Sequence, residues 1–468
     1  MLNLGNRAIP HPGRINTLLA GAIALFAVLV VVYSASIDIR ATRGASITGD
    51  EPFYLLTTQS LIQDGNLDLR RQYRDSTYKD FFDHPEGLWL QSSSRDSGKL
   101  LSPHNPGLSV LLIPGFSLGG LLGAQIQLVI ITALTFSLAY IFIARQTLSI
   151  WASWFATLLI GITATAFIYS SEIYPEIPSA LTLLIALLIL QRKSEIPRWQ
   201  SLALVLCLTA MVWLGIKYAP LAGLVAIWGF WRMNGLPRSL FAVAAILNSG
   251  MFIWFHVETF GALTPYSVNL VYSGDGTISI LGEHMEFKRR VYRPLGLLVD
   301  QRFGIARWSP ILFLAIIAVP LVWRNNGISK LVLIIISIQI LIATFVAITM
   351  MGWWFPGRTL VTVLPLIGLP LAILITKSGN YTRSIIATLG IYSFAVTAFL
   401  ALAGHSREIV IAVDPFEMSS YVFQLIAPIM PDYRIWNTHT WTFTGVWLFL
   451  ITIGTIAFSV TSRPKISS

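Results

Sequence analysis

The chain has 468 residues, of which 55% are hydrophobic and 12% charged, with a formal net charge of +10. A soluble domain cannot hide that much apolar surface, so the composition excludes a soluble globular class and selects a polytopic membrane protein. The apolar runs are continuous and of helix length, which excludes a barrel of short alternating strands and gives an all-α fold class.

The first apolar segment, Leu18 to Tyr33, follows Arg7 and Arg14. Ser34-Ala35-Ser36 imitates a cleavage site, but the segment's length and the many later spans mark an uncleaved anchor. Length and Lys/Arg punctuation predict about 12 spans (11–13). They lie near 15–36, 121–143, 150–170, 177–191, 200–217, 219–231, 239–258, 308–323, 331–350, 358–376, 384–404 and 441–461. With a cytoplasmic N-terminus, the cytoplasmic segments carry Arg145; Arg192, Lys193 and Arg198; Arg232 and Arg238; Arg324 and Lys330; Lys377 and Arg383; Arg463 and Lys465. Every short cytoplasmic loop is then basic, as the positive-inside rule requires, and both termini are cytoplasmic. This is the pattern of an integral protein of the cytoplasmic (inner) membrane. The positive charge is scattered among loops as a topology signal, so no nucleic-acid partner is expected. The single cysteine, Cys207, excludes an intramolecular disulfide.

Leu108 to Gly120 is too short to span and is interrupted by Pro114 and Gly115. Counting it as a span would turn every later basic loop outward, so it is predicted to be a juxtamembrane or re-entrant segment. Three long segments then lie outside, 37–107, 259–307 and 405–440, within a single integral-membrane domain, 1–468. The first holds 10 of the chain's 22 acids, and the topology rule, which ignores acids, does not explain that concentration.

Asp50 and Glu51 stand just after the first span and before an amphipathic pattern ending at Asp64-Gly65-Asn66. A carboxylate there can accept a proton from an attacking hydroxyl, and a neighbouring pair can share a divalent cation. The plainer alternative is a helix cap before Pro52. Glu172 and Glu176, in YSSEIYPEIP, fall in a short outer loop and approach the same face. Their plainer reading is a loop at the headgroup level, with Tyr169 and Tyr174 as interface aromatics. Lys217 and Arg358 sit at outer span ends, where the topology rule disfavours positive charge, so an anionic phosphate is their natural partner. Snorkelling to outer headgroups is the alternative. Arg358 lies among Trp353, Trp354 and Phe355. No histidines show metal-ligand spacing, and no Walker motif or nucleophile elbow is present. A nucleotide is not expected, and the donor should arrive through the membrane.

Several segments together resemble the GT-C superfamily of integral-membrane glycosyltransferases, in the branch related to protein O-mannosyltransferases and the lipid A aminoarabinose transferase. GDEPFYLLTTQSLIQDGNLDL resembles the acidic motif of the first outer loop, and SPHNPGLSVLLIPGFSLGG the Pro-rich juxtamembrane segment. YSSEIYPEIPSALTLLIALL is similar to the second acidic motif, AMVWLGIKYAPLAGL to the span-ending Lys motif, and ETFGALTPY, RFGIARWSP and GWWFPGRTLVTVLPL to later loop motifs. The resemblance implies a GT-C fold and transfer of a sugar from a polyprenyl-phosphate-sugar donor on the extracytoplasmic side. It implies Asp50 as the base that deprotonates the acceptor hydroxyl, with Glu51 positioning it or binding a divalent cation. Lys217 and Arg358 would hold the carrier phosphate, and Glu172 or Glu176 would line the sugar or acceptor side. Tyr54 and His104, within the same motifs, join them as substrate-binding candidates. The second motif departs from the family's Arg-x-x-Asp pattern at Ser171-Glu172 and Glu176. The acceptor is a lipid, glycan or protein hydroxyl. The alternative is a transporter or flippase of lipid-linked envelope precursors, which should carry mid-span charges and two similar halves. Neither is apparent. Tyr433 to Trp441 either covers the site or forms an aromatic belt.

Overall fold

The computed structural model describes residues 12–92, 98–192, 195–270, 287–323, 327–347 and 354–461. Expectations for Arg7, Lys193, Arg324, Trp353, Arg463 and Lys465 concern residues outside these. The described chain is helical, with no strand and one isolated bridge between Ser92 and Asn269.

Seven helices among the described residues are long and apolar enough to cross a membrane: Gly13–Ser34, Gly107–Thr147, Gly235–Val268, Gly327–Val346, Arg358–Lys377, Asn380–His405 and Thr438–Phe458. The other predicted spans hold shorter apolar helices, Ile150–Gly161, Glu176–Leu190, Arg198–Leu214, Ala219–Arg232 and Pro310–Ile317. Pro12–Ser34, Gly107–Thr147, Glu176–Leu190, Arg198–Leu214 and Gly235–Phe260 pack successively, each against the next. Gly368–Lys377 lies in the middle, against Ile150–Gly161. Small residues permit close approach between these helices. At Gly161, for instance, an added Cβ would come within 3.2 Å of Leu29, and the Gly161 carbonyl accepts from the Tyr33 hydroxyl at 2.8 Å.

The Pro-rich segment begins the long helical run Gly107–Thr147. Helical geometry fails at Gly119 and Gly120, the latter at φ 56°. The chain then doubles back: the Gly115 carbonyl oxygen lies only 2.0 Å from where a Gly123 Cβ would be. Any side chain at Gly123 would prevent this approach. The Gln127 amide fastens the reversal, accepting from the Gly115 N–H at 2.9 Å and donating to the Leu111 carbonyl at 2.7 Å. Glu51–Asp64 packs on the same long run, tied by the Ser109 hydroxyl donating to the Tyr54 carbonyl at 2.9 Å.

Candidate functional site

Gly49, at φ 61°, turns the chain into Asp50. Asp50 sits at the N-cap position of Glu51–Asp64 but makes no side-chain capping bond, so its carboxylate is left to face the protein interior. Oδ2 meets Arg358 Nη2 at 3.0 Å, and Oδ1 accepts from Gln91 Nε2 at 3.4 Å. His104 Nε2 lies 3.8 Å from Oδ1 and 2.8 Å from Gln91 Oε1. Its ring lies 4.8 Å from that of Tyr54.

Arg358 is the hub. Its side chain is only 9% exposed, and it donates through Nε to Glu176 Oε1 at 2.9 Å while Nη2 holds Asp50. The guanidinium lies 3.7 Å from the Tyr174 ring centroid and 5.2 Å from that of Trp354, a stacking that suits Arg and not Lys. Gly357, at φ 87°, aims it: a Cβ there would lie 2.8 Å from the Thr165 hydroxyl. Lys217, on the turn Ile216–Tyr218, donates to the same Glu176 oxygen at 2.7 Å. The result is a chain of alternating charge, Asp50, Arg358, Glu176, Lys217, assembled from four distant segments. Glu176 Oε2 is buried with no partner.

Burial pushes the Asp50 carboxyl up, but His104, Arg358 and Lys217 outweigh it and hold the group down at about 2. Glu51 is pushed up to about 7, chiefly by burial, against two backbone amide donors that favour its charged form. Those donors are Thr48 N–H to Oε2 and Ile173 N–H to Oε1, both at 2.9 Å. Glu51 therefore ties the first loop to the Glu172 loop. Glu172 is 6% exposed, its Oε2 lacks a partner, and burial and the Glu51 charge push it well above the usual carboxylate range. Burial pushes His104 down, against the pull of Asp50. Among the described residues no three His, Cys, Asp or Glu side chains converge as a metal site.

The structure thus joins Asp50, Glu176, Lys217 and Arg358 directly, and places His104 and Tyr54 beside Asp50. Glu51 and Glu172 sit behind them. Gln91 was not singled out by the sequence, since one glutamine in a polar loop carries no pattern. Tyr169 and Tyr174 are buried rather than interfacial: Tyr174 underlies Arg358, and Tyr169 donates to the Phe355 carbonyl at 2.5 Å. In the Tyr433–Trp441 stretch, Tyr433 stacks on Tyr292 at 5.3 Å and donates its N–H to Asp300 at 3.2 Å. An apolar cavity of about 560 Å³ is lined by Leu61, Val110, Pro178, Leu181, Trp213 and Leu214 among others. Pro178 follows Glu176 by two residues and Leu214 precedes Lys217 by three, though none of the four charged side chains lines the cavity.

A bundle of membrane-length helices carrying an ionic chain among its loops has a solved counterpart of similar fold. The particular likeness is to ArnT from Cupriavidus metallidurans in its structure bound to undecaprenyl phosphate. That likeness has a TM-score of 0.53 and 15% identity, over 94% of this chain and 74% of that one. The apo structure of the same protein gives a TM-score of 0.48 at 15% identity, over 95% and 77%. At this identity the likeness is one of fold. No family model matches the chain, and no curated protein does.

Proposed function

We propose that this protein is a glycosyltransferase that moves a sugar from a polyprenyl-phosphate-linked donor to an acceptor hydroxyl at the extracytoplasmic membrane face. The observation that carries this is the placement of Arg358 between Asp50 and Glu176, with Lys217 alongside. Paired cations suit a phosphate, and the apolar cavity that Pro178 and Leu214 line is of a kind that takes a hydrocarbon chain. The likeness to ArnT supports the same class of ligand, since that structure holds undecaprenyl phosphate.

In this reading the acceptor oxygen attacks the anomeric carbon while Asp50 takes its proton. The bond from that carbon to the phosphate oxygen breaks, and the leaving phosphate keeps the electron pair. Lys217 and Arg358 offset its charge. A carboxylate at about 2 is a weak base at neutral pH. Arg358 is a main cause, so a donor phosphate that claims Arg358 strengthens the base it is about to need. Glu176 Oε2, buried and unpartnered, is an acceptor for a sugar hydroxyl, and the protonated Glu172 carboxyl can donate as well as accept. Glu51 supports the loop; a divalent cation at Asp50 and Glu51 would have to compete with the two amides already on Glu51.

Asp50→Asn keeps the shape and removes the base. Purified Asp50→Asn should fold, unfold somewhat below the wild-type temperature because the ion pair to Arg358 is lost, and show no sugar transfer. Transfer at the wild-type rate would end the assignment, whereas a flippase would show no transfer even as the wild type.

A further inference from the structure

His256 lies in Gly235–Phe260 and is 0% exposed. It is caged by Trp213, Phe252, Phe255 and Phe260, whose ring centroids are 3.8 to 5.6 Å from its own. Such a histidine is usually a satisfied core residue, but its bonding leads elsewhere. Nδ1 lies 2.8 Å from the Phe252 carbonyl, which only accepts, so Nδ1 carries the proton. Nε2 of the neutral ring must then accept, and its partner at 3.0 Å is Asn105 Nδ2. That fixes the Asn105 amide with Oδ1 toward the Ile216 N–H, 3.2 Å away.

Ile216 precedes Lys217 and opens its turn. A Cβ on Gly107 would lie 2.4 Å from the Trp213 carbonyl oxygen, so the Pro-rich segment rests on the end of Arg198–Leu214. His104, one residue earlier, faces the other way, toward Gln91 and Asp50. Each bond in the relay has one allowed direction. A flipped Asn105 would present an oxygen to His256 Nε2 and an N–H to the Ile216 N–H, losing both bonds.

We propose that Asn105 and His256 are positioning residues for Lys217: the relay from the Phe252 carbonyl to the Ile216 amide sets the turn from which Lys217 reaches Glu176 and the donor phosphate. The inference rests on the phosphate role proposed for Lys217. Neither residue touches the phosphate, so their effect passes through Lys217 alone.

The test is a titration of the purified full chain in detergent with polyprenyl phosphate. Asn105→Ala and His256→Leu should each weaken binding roughly two- to tenfold, the worth of one or two neutral hydrogen bonds. His256→Gln, whose side-chain carbonyl can accept from Asn105, should stay within about twofold of wild type. The double variant Asn105→Ala/Lys217→Ala should bind no worse than Lys217→Ala, because the relay has nothing left to position. An additive loss in the double variant overturns the positioning role and leaves the phosphate reading standing. So does His256→Gln binding as weakly as His256→Leu, a comparison that serves even where Asn105→Ala fails to fold. Wild-type binding by Lys217→Ala overturns the phosphate reading, and the inference with it.

Discussion

Arg358→Ala is the sharpest test of the site. The side chain is 9% exposed and bonds two carboxylates, one of which, Glu176, is itself only 3% exposed. Removing it leaves Glu176 with Lys217 and Asp50 with His104 alone. Breaking a buried ion pair from one side costs about 3–5 kcal/mol of stability. Truncating one member of a buried hydrogen-bonded charge pair costs binding about 2–5 kcal/mol. At 1.4 kcal/mol per decade, donor affinity should fall roughly 30-fold at the least. Arg358→Lys should recover part of this, since one ammonium cannot keep both bonds and the stack on Tyr174. The acid limb reports on the same contact. The folded-state carboxyl of Asp50 lies below its ordinary value, so its contribution is present above about pH 4 and is lost as pH falls toward about 2. Arg358→Ala should move that loss to higher pH. The assays are polyprenyl phosphate titration and thermal unfolding against pH. A folded Arg358→Ala protein with wild-type affinity would refute the reasoning.

Other outcomes are expected. Glu51 holds its proton up to about pH 7 when folded, against an ordinary value of 4.5. The unfolded chain releases that proton earlier, so stability should fall by about 3 kcal/mol as pH rises from 4.5 to 7. Glu51→Gln should flatten that slope in thermal unfolding scans; an unchanged slope would point to other groups. Gly357→Ala places a Cβ 2.8 Å from the Thr165 hydroxyl at φ 87°. It should cost about 1–3 kcal/mol of stability and weaken phosphate binding by displacing Arg358. Ala210→Phe should fill part of the apolar cavity. It should weaken binding of long-chain polyprenyl phosphate and spare a short-chain analogue; equal losses for both would separate the cavity from the hydrocarbon tail.

Much of this was legible in the chain because membranes make charge placement expensive. Lys217 and Arg358 stood out as cations at disfavoured depths, and the structure joins both to Glu176. The reversal at Gly119–Gly120 was legible from length and from the sign of the later loops. Glu51 was less so: adjacency to Asp50 suggested shared chemistry, whereas helical geometry turns the two carboxylates apart, one to Arg358 and one to backbone amides. The capping alternative for Asp50 fails because its side chain makes no such bond. Tyr174 reads as an interface aromatic because sequence shows a span end and not what lies behind it. Gln91 and the Asn105–His256 relay depend on contacts across 13 to 151 residues, and single polar residues leave no periodic trace.

The alternating chain has an electrostatic consequence for turnover. Asp50, Arg358, Glu176 and Lys217 sum to zero formal charge, so the empty site is balanced. A phosphodiester donor adds one negative charge, and the released phosphate monoester carries between one and two at neutral pH. The proton that Asp50 takes keeps the total unchanged through the transfer itself, so the added negative charge appears only when Asp50 gives that proton up. Occupancy should rise as pH falls, and the spent carrier, bearing the greater charge, should be expelled more readily than the loaded one is held.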